Sequence, residues 1–244
     1  MFDIYKKRMI YVIIVLGICL VSNNLLEQRN QKIIDVNATP ITNKIVILDA
    51  GHGLPDQGAT GYFSTTEQAI NLSITFKLQK LIEQSGAKVI LTRSDEDGIY
   101  SLDNKSIRNK KVSDIKNRVK IGNGSSADIL ISLHLNKFPP SEIYKGWQTF
   151  YQKSNVNSKD LSEIIQSNIN KNISISNNRI PHSISDVYIM DKVEIPSVII
   201  ECGFLSNQEE TKLLKTEDYQ NKLAWGIFIG IQEYFEKKGV SKVE

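Results

Sequence analysis

Three residues able to do chemistry follow apolar, β-branched runs that lie far apart in the chain. IVILDAGHG carries His52 just past one run, ILISLHLN carries His134 just past another, and SVIIECG puts Glu201 at the tip of the last. Such runs read as strands, and in open α/β sheets ligands bind outside the carboxyl ends of the strands. If these runs are parallel neighbours, two imidazoles and a carboxylate converge on one sheet edge as metal ligands or as acid and base. Each residue also has a plainer reading. A histidine near a strand end is commonly a hydrogen-bonded structural residue. A carboxylate beside a core needs a partner or a shifted pKa, and a structural pair meets that need as well as catalysis does. Gly51 and Gly53 around His52 fit a tight turn close to a site, and equally an ordinary loop. Glu67 stands three residues after Ser64, ahead of an apolar helical run. That is a capping-box pattern, and on local grounds Glu67 is a cap.

Stepping outward from these residues, the chain from Ile45 on alternates short β-branched runs with longer amphipathic segments, the pattern of a sheet covered by helices. The expected fold class is α/β: a single domain with a mostly parallel or mixed central sheet flanked by helices, behind an N-terminal membrane segment. Strands are expected at Ile45 to Leu48, Lys88 to Thr92, Ile129 to Leu133, Trp147 to Tyr151 and Ser197 to Ile200. Several are apolar on both faces, which predicts central positions. Helical spacing of Ile70, Ile74, Leu78, Leu81 and Ile82 predicts a helix over Thr66 to Ser85, stopped by Gly86. Further helices are expected at Val112 to Ile121, Leu161 to Ile169 and Tyr219 to Lys238. The polar stretches Ser94 to Lys111 and Lys171 to Ser185 read as loops near or over a site.

The 244 residues, 41% hydrophobic and 23% charged, suit one sizeable domain. A net charge of +3 is too small to argue for nucleic acid as a partner. Two cysteines, Cys19 and Cys202, provide no disulfide framework. Lys6, Lys7 and Arg8 precede the apolar run Met9 to Val21, the order of a signal peptide or signal anchor. The run is shorter than the roughly 17–25 residues of a spanning helix, but no small-x-small cleavage site follows it. The expectation is an uncleaved anchor, an extracytoplasmic location, and a polar stalk after it.

These residues also carry a family resemblance. Leu48 to Gly53, continuing through Asp56, Gly58 and Ala59 to Glu67, resembles the opening motif of the zinc-dependent N-acetylmuramoyl-L-alanine amidases of bacterial cell walls. Arg118 to Asn123 with Ala127 to Asn136 resembles the central block, and Pro196 to Glu201 with Gly203 to Asn207 and Glu210 the closing block. The order and the single domain behind a short N-terminal segment are similar to the germination-specific amidases of endospore-forming bacteria. The resemblance divides the chain into a basic start (1–8), an anchor or signal (9–21), a stalk (22–43), an amidase domain (44–239) and a tail (240–244). It implies one zinc ion on His52, Glu67 and His134, with Glu201 as general base, and so reverses the local reading of Glu67. An open fourth position lets water and substrate reach such a zinc. The implied reaction cleaves the amide between N-acetylmuramic acid and the stem peptide's L-alanine, in spore cortex needed for germination. The implied partners are peptidoglycan, the membrane through the N-terminal segment, and an activating protein. Leu54-Pro55 stands where the family commonly has a second glycine, which predicts a stiffer or differently shaped loop beside His52. Two other readings compete: a cysteine hydrolase using Cys202 with His134, and a wall-binding protein without catalysis.

Overall fold

The computed structural model describes Met9 and residues 15–25, 39–103 and 105–240. The chain divides into two units, Met1–Thr39 and Pro40–Glu244. In the first, residues 15–25 are helical with exposed apolar side chains. No helix among the described residues is long and apolar enough to cross a membrane. Much of the expected anchor, stalk and tail, including residues 1–8, 10–14, 26–38 and 241–244, lies outside the described residues.

The second unit is a single α/β domain. Its strands are β1 (Ile45–Ala50), β2 (Lys88–Leu91), β3 (Ile129–Asn136), β4 (Gln148–Gln152), β5 (His182–Ile184) and β6 (Ser197–Phe204). Its helices are α1 (Glu67–Gln84), α2 (Ile107–Gly124), α3 (Val156–Asn172), α4 (Tyr188–Lys192), α5 (Gln208–Leu214) and α6 (Glu217–Val240). The strands form one six-stranded sheet in the order β2-β1-β3-β6-β4-β5. β1, β2, β3 and β6 run parallel, and β4 pairs antiparallel with β6, so the sheet is mixed.

Side chains alternate across the sheet, and each face has its own core. Val46, Leu48, Ile131, Leu133, Val198 and Ile200 pack under α1, α3 and α6, against Ile74, Leu78, Ile165, Ile169, Ile227 and Ile231. Ile47, Leu130 and Ile199 face the other way, with Ile189, Met190 and Val193 from α4 and its C-cap. β1, β3 and β6 are central, whereas β2 is an edge.

The structure corrects several expectations. β3 and β6 outlast their apolar runs, so His134 and Glu201 lie inside strands rather than past or at their tips. Pairing continues across an irregularity between His134 and Asn136, because backbone hydrogen bonds do not require apolar side chains. α2 begins at Ile107, capped by Ser106, inside a stretch expected to be loop. β5, α4 and α5 are too short to have left a periodic signal. Ile41, expected in the stalk, is fully buried in the core, and Asn43 N donates to the Gly86 carbonyl at 3.0 Å.

Candidate metal centre and catalytic cleft

Parallel pairing of β1, β3 and β6 brings the distant motifs together. His134 is in register with Glu201 on the neighbouring strand, so both side chains project from the same face. β1 ends at Ala50, and the turn after it carries His52 back over the sheet end with a left-handed φ of 63°. α1 packs beneath the opposite face, but Glu67 is its first residue and stands at the sheet's carboxyl edge.

Glu67 is not the partner of a capping box. The N-cap is Thr66, which makes no side-chain cap, and Ser64 lies within a short 3-10 turn before it. Instead Glu67 Oε2 accepts from Ala59 N at 2.8 Å and Oε1 from Leu135 N at 3.0 Å. Its Oε1 also stands 3.2 Å from His52 Nε2 and 3.1 Å from His134 Nδ1. One donor atom from each of His52, Glu67 and His134 lies within 4.8 Å of the others, a possible metal site. Two glycines permit the crowding. A methyl group on Gly51 would fall 2.3 Å from His134 Cε1, and one on Gly58 would fall 2.5 Å from Glu67 Oε2, where φ is also +66°.

The electrostatics favour positive charge at this point. Burial works against ionised Glu67, yet hydrogen bonds to His134 and His52 and their positive field hold its carboxyl well below the usual range. Burial likewise opposes a charged His52, but hydrogen bonds with Asp56 and Glu67 push it up to about 9. Asp56 Oδ2 meets His52 Nδ1 at 3.0 Å and its Oδ1 meets Lys111 Nζ at 2.7 Å. A carboxylate behind a ring nitrogen orients the imidazole and directs the other nitrogen to the shared point. The Leu54-Pro55 loop, which contains a cis peptide, closes with paired Gly53–Asp56 backbone hydrogen bonds of 3.0 and 2.9 Å that hold Asp56 in place.

A buried polar network supports the turn that carries His52. Asp49 accepts from Thr92 Oγ1 at 2.7 Å and Ser132 Oγ at 2.6 Å, and pairs with Arg118. Burial would raise its pKa, but Arg118 and these hydroxyls bring it down to about 2. Arg118 also donates to the carbonyls of Ala50, at 2.8 Å, and His52. Arg93 donates to Ala50 O at 2.8 Å, Gly51 O at 3.2 Å and Gln68 O at 2.8 Å. Arg93 is therefore a buried brace. Asp49 and Arg118 stood in the sequence only as members of the opening and central motifs, although an aspartate inside IVILDA was a signal that a buried counter-charge had to exist.

His52, His134 and Glu201 line one cleft of about 440 Å³. Glu201 Oε2 is shielded from solvent with no hydrogen-bond partner, and burial pushes its carboxyl up to about 7. A carboxylate in that state can exchange protons near neutral pH. Asn136 also lines the cleft, while its carbonyl receives Leu205 N at 2.8 Å. Cys202 points to the opposite face and is fully buried in the α1–α3–α6 core, where burial pushes its thiol far up. It does not share the cleft with His134, which removes the cysteine-hydrolase reading.

Comparison with known proteins agrees with this geometry. Residues 46–233 match the N-acetylmuramoyl-L-alanine amidase family. The chain is 36% identical over 200 residues, 82% of its length and 83% of the relative's, to the germination-specific N-acetylmuramoyl-L-alanine amidase of Bacillus subtilis. The CwlD amidase from Clostridioides difficile, solved in complex with the GerS lipoprotein, superposes with a TM-score of 0.77 at 48% identity, covering 80% of this chain and 99% of that one. The catalytic domain of CwlV, an amidase of Bacillus (Paenibacillus) polymyxa, gives a TM-score of 0.68 at 30% identity over 79% of this chain and 98% of that one. With a family match across most of its length and these relatives beside it, the chain belongs to the N-acetylmuramoyl-L-alanine amidases of the bacterial cell wall and resembles their CwlD-type, germination-specific branch.

Proposed function

We propose that the domain is a zinc hydrolase that cuts the amide between N-acetylmuramic acid and the L-alanine of the stem peptide. His52, Glu67 and His134 would hold the metal, and Glu201 would act as general base and then general acid. The observation that carries this reading is a three-donor cluster, two of whose residues line the same cleft as Glu201, a carboxylate with a buried oxygen that has no hydrogen-bond partner. Two imidazole nitrogens and a carboxylate oxygen are a zinc donor set that leaves one position open. Bound zinc would polarise the scissile carbonyl and acidify the attacking water. The protein's own groups do the rest. Asp56 keeps the His52 ring oriented, and Arg93 and Arg118 hold the turn beneath it. Glu201 accepts the proton released as water attacks and delivers it to the departing L-alanine nitrogen, which must leave as a neutral amine.

The likeness to the Bacillus subtilis germination-specific enzyme supports a role in spore cortex. That substrate, together with the basic and apolar N-terminus, supports extracytoplasmic action behind an uncleaved anchor and stalk. The Clostridioides difficile relative was solved with a lipoprotein, which supports a protein partner for this chain as well.

The test is metal content and turnover measured together on a soluble fragment from Pro40 onward. Purified peptidoglycan is the substrate, and new L-alanine amino termini are the readout. Termini that vanish with a chelator and return with zinc are the expected result. Stoichiometric zinc with no new termini on cortex or vegetative wall would leave a wall-binding protein as the better reading.

A further inference from the structure

The cleft has two unlike walls. On one side Phe150, Ile184, Val187 and Ile189 contribute no charge. On the other, the first turns of α2 and the loop before it supply Tyr100, Lys110, Lys111 and Asp114. Most charges lining the cleft are already engaged. Lys111 pairs with Asp56 at 2.7 Å, and Asp114 accepts from Arg118 Nε at 2.6 Å and from Ile99 N at 2.6 Å. Lys110 differs. Its ammonium lies 4.6 Å from the centroid of the Tyr100 ring, and no carboxylate among the described residues pairs with it. A cation resting on an aromatic face keeps its charge and is positioned without being neutralised.

This asymmetry matches the chemistry of the substrate, so the inference rests on the amidase reading. N-acetylmuramic acid is uncharged once its lactyl carboxyl is in the amide. The stem peptide, by contrast, is acidic: the residue after L-alanine is joined through its side-chain carboxyl and keeps a free α-carboxylate. We infer that Lys110, positioned by Tyr100, is the specificity-determining residue for that α-carboxylate. The stem peptide then runs along α2 and the uncharged sugar faces the Phe150 wall. A charge-assisted hydrogen bond made this way discriminates free acid from amide, because an amide offers no negative charge to the ammonium.

The experiment uses the zinc-loaded full chain and two small substrates whose γ-carboxyl is capped as in the stem peptide, N-acetylmuramoyl-L-alanyl-D-glutamate γ-methylamide and its α-amide. Wild type should favour the free acid. Lys110→Met should raise KM for the free acid roughly ten- to thirty-fold, leave kcat within about two-fold, and leave the amide unaffected. Lys110→Arg should keep most of the preference. Calorimetric titration with L-alanyl-D-glutamate γ-methylamide provides a second readout: wild type binds it and Lys110→Met does so at least ten-fold more weakly. Equal losses on both substrates, or none on either, would overturn the inference, as would unchanged dipeptide binding. If wild type cleaves neither substrate, the amidase reading is what fails, and the titration still decides whether Lys110 binds the carboxylate.

Discussion

Glu201 would carry two opposed demands as the proposed general base, since it sits beside a core yet would have to ionise. Its carboxyl is raised from 4.5 to about 7 by burial. Between those values the folded protein keeps a proton that the unfolded chain has released, so stability falls as pH rises from about 4.5 to about 7 and is flat above. A shift of this size corresponds to at most about 3 kcal/mol. Glu201→Gln removes the burden. In chelator-treated protein it should unfold at higher denaturant concentration than wild type at pH 8 and at a similar concentration at pH 4. The same variant, loaded with zinc, should bind metal normally and turn over no substrate; loss of zinc would make Glu201 a ligand instead. Glu67→Gln separates two other roles. A capping residue would tolerate it at a cost of about 1 kcal/mol or less, whereas a ligand would not. Because both Glu67 oxygens accept from backbone amides of the site and its Oε1 faces two histidines, zinc affinity measured by calorimetry should fall by at least ten-fold. Normal affinity would return Glu67 to a structural part.

At the scale of elements, the sheet's carboxyl edge is rigid because its supports are buried and paired. The turn after β1 rests on Arg93 and Arg118, α1 begins at Glu67, and β3 lies beside β6 in register. One consequence concerns the start of the domain. Ile41 precedes β1 but is fully buried, packed in the α1–α3–α6 core, and Lys44 N donates to its carbonyl at 3.0 Å. Ile41→Ala should therefore destabilise the domain by about 2–4 kcal/mol, and a fragment starting at Lys44 should melt well below one starting at Pro40. Equal melting temperatures for the two fragments would show that Ile41 adds nothing. The polar residues just upstream conceal this in the sequence, since one apolar side chain has no periodicity to reveal it.

For the whole molecule, metal binding at the proposed site would be linked to folding, because the three proposed ligands come from three separate segments. An unfolded chain does not hold them together. Zinc at about a hundred times its Kd should add about 2.7 kcal/mol to the stability of the chelated protein, and thermal unfolding with and without zinc reads this directly. Iodoacetamide should leave turnover intact, since Cys202 is enclosed and its thiol is pushed far up, while exposed Cys19 lies in the other unit. By itself the sequence determined the α/β class and most of the longer elements, because apolar β-branched runs must be buried. It offered the convergence of His52, His134 and Glu201 only on the condition that their strands were parallel neighbours, and it offered Glu67 as a ligand only through the resemblance, against its local pattern. Only the tertiary structure decided how Glu67 is held, because its contacts to Ala59 and Leu135 depend on where α1 docks. The same holds for Arg93, Asp49 and Arg118, whose charges read as ordinary polar residues until burial forces each to find its partner across the sheet edge. Likewise, only the fold leaves Lys110 without a carboxylate partner among the described residues, with Asp56 engaged by Lys111 and Asp114 by Arg118. Local patterning reports what a residue prefers to be near, and the packed fold determines which of those preferences is met.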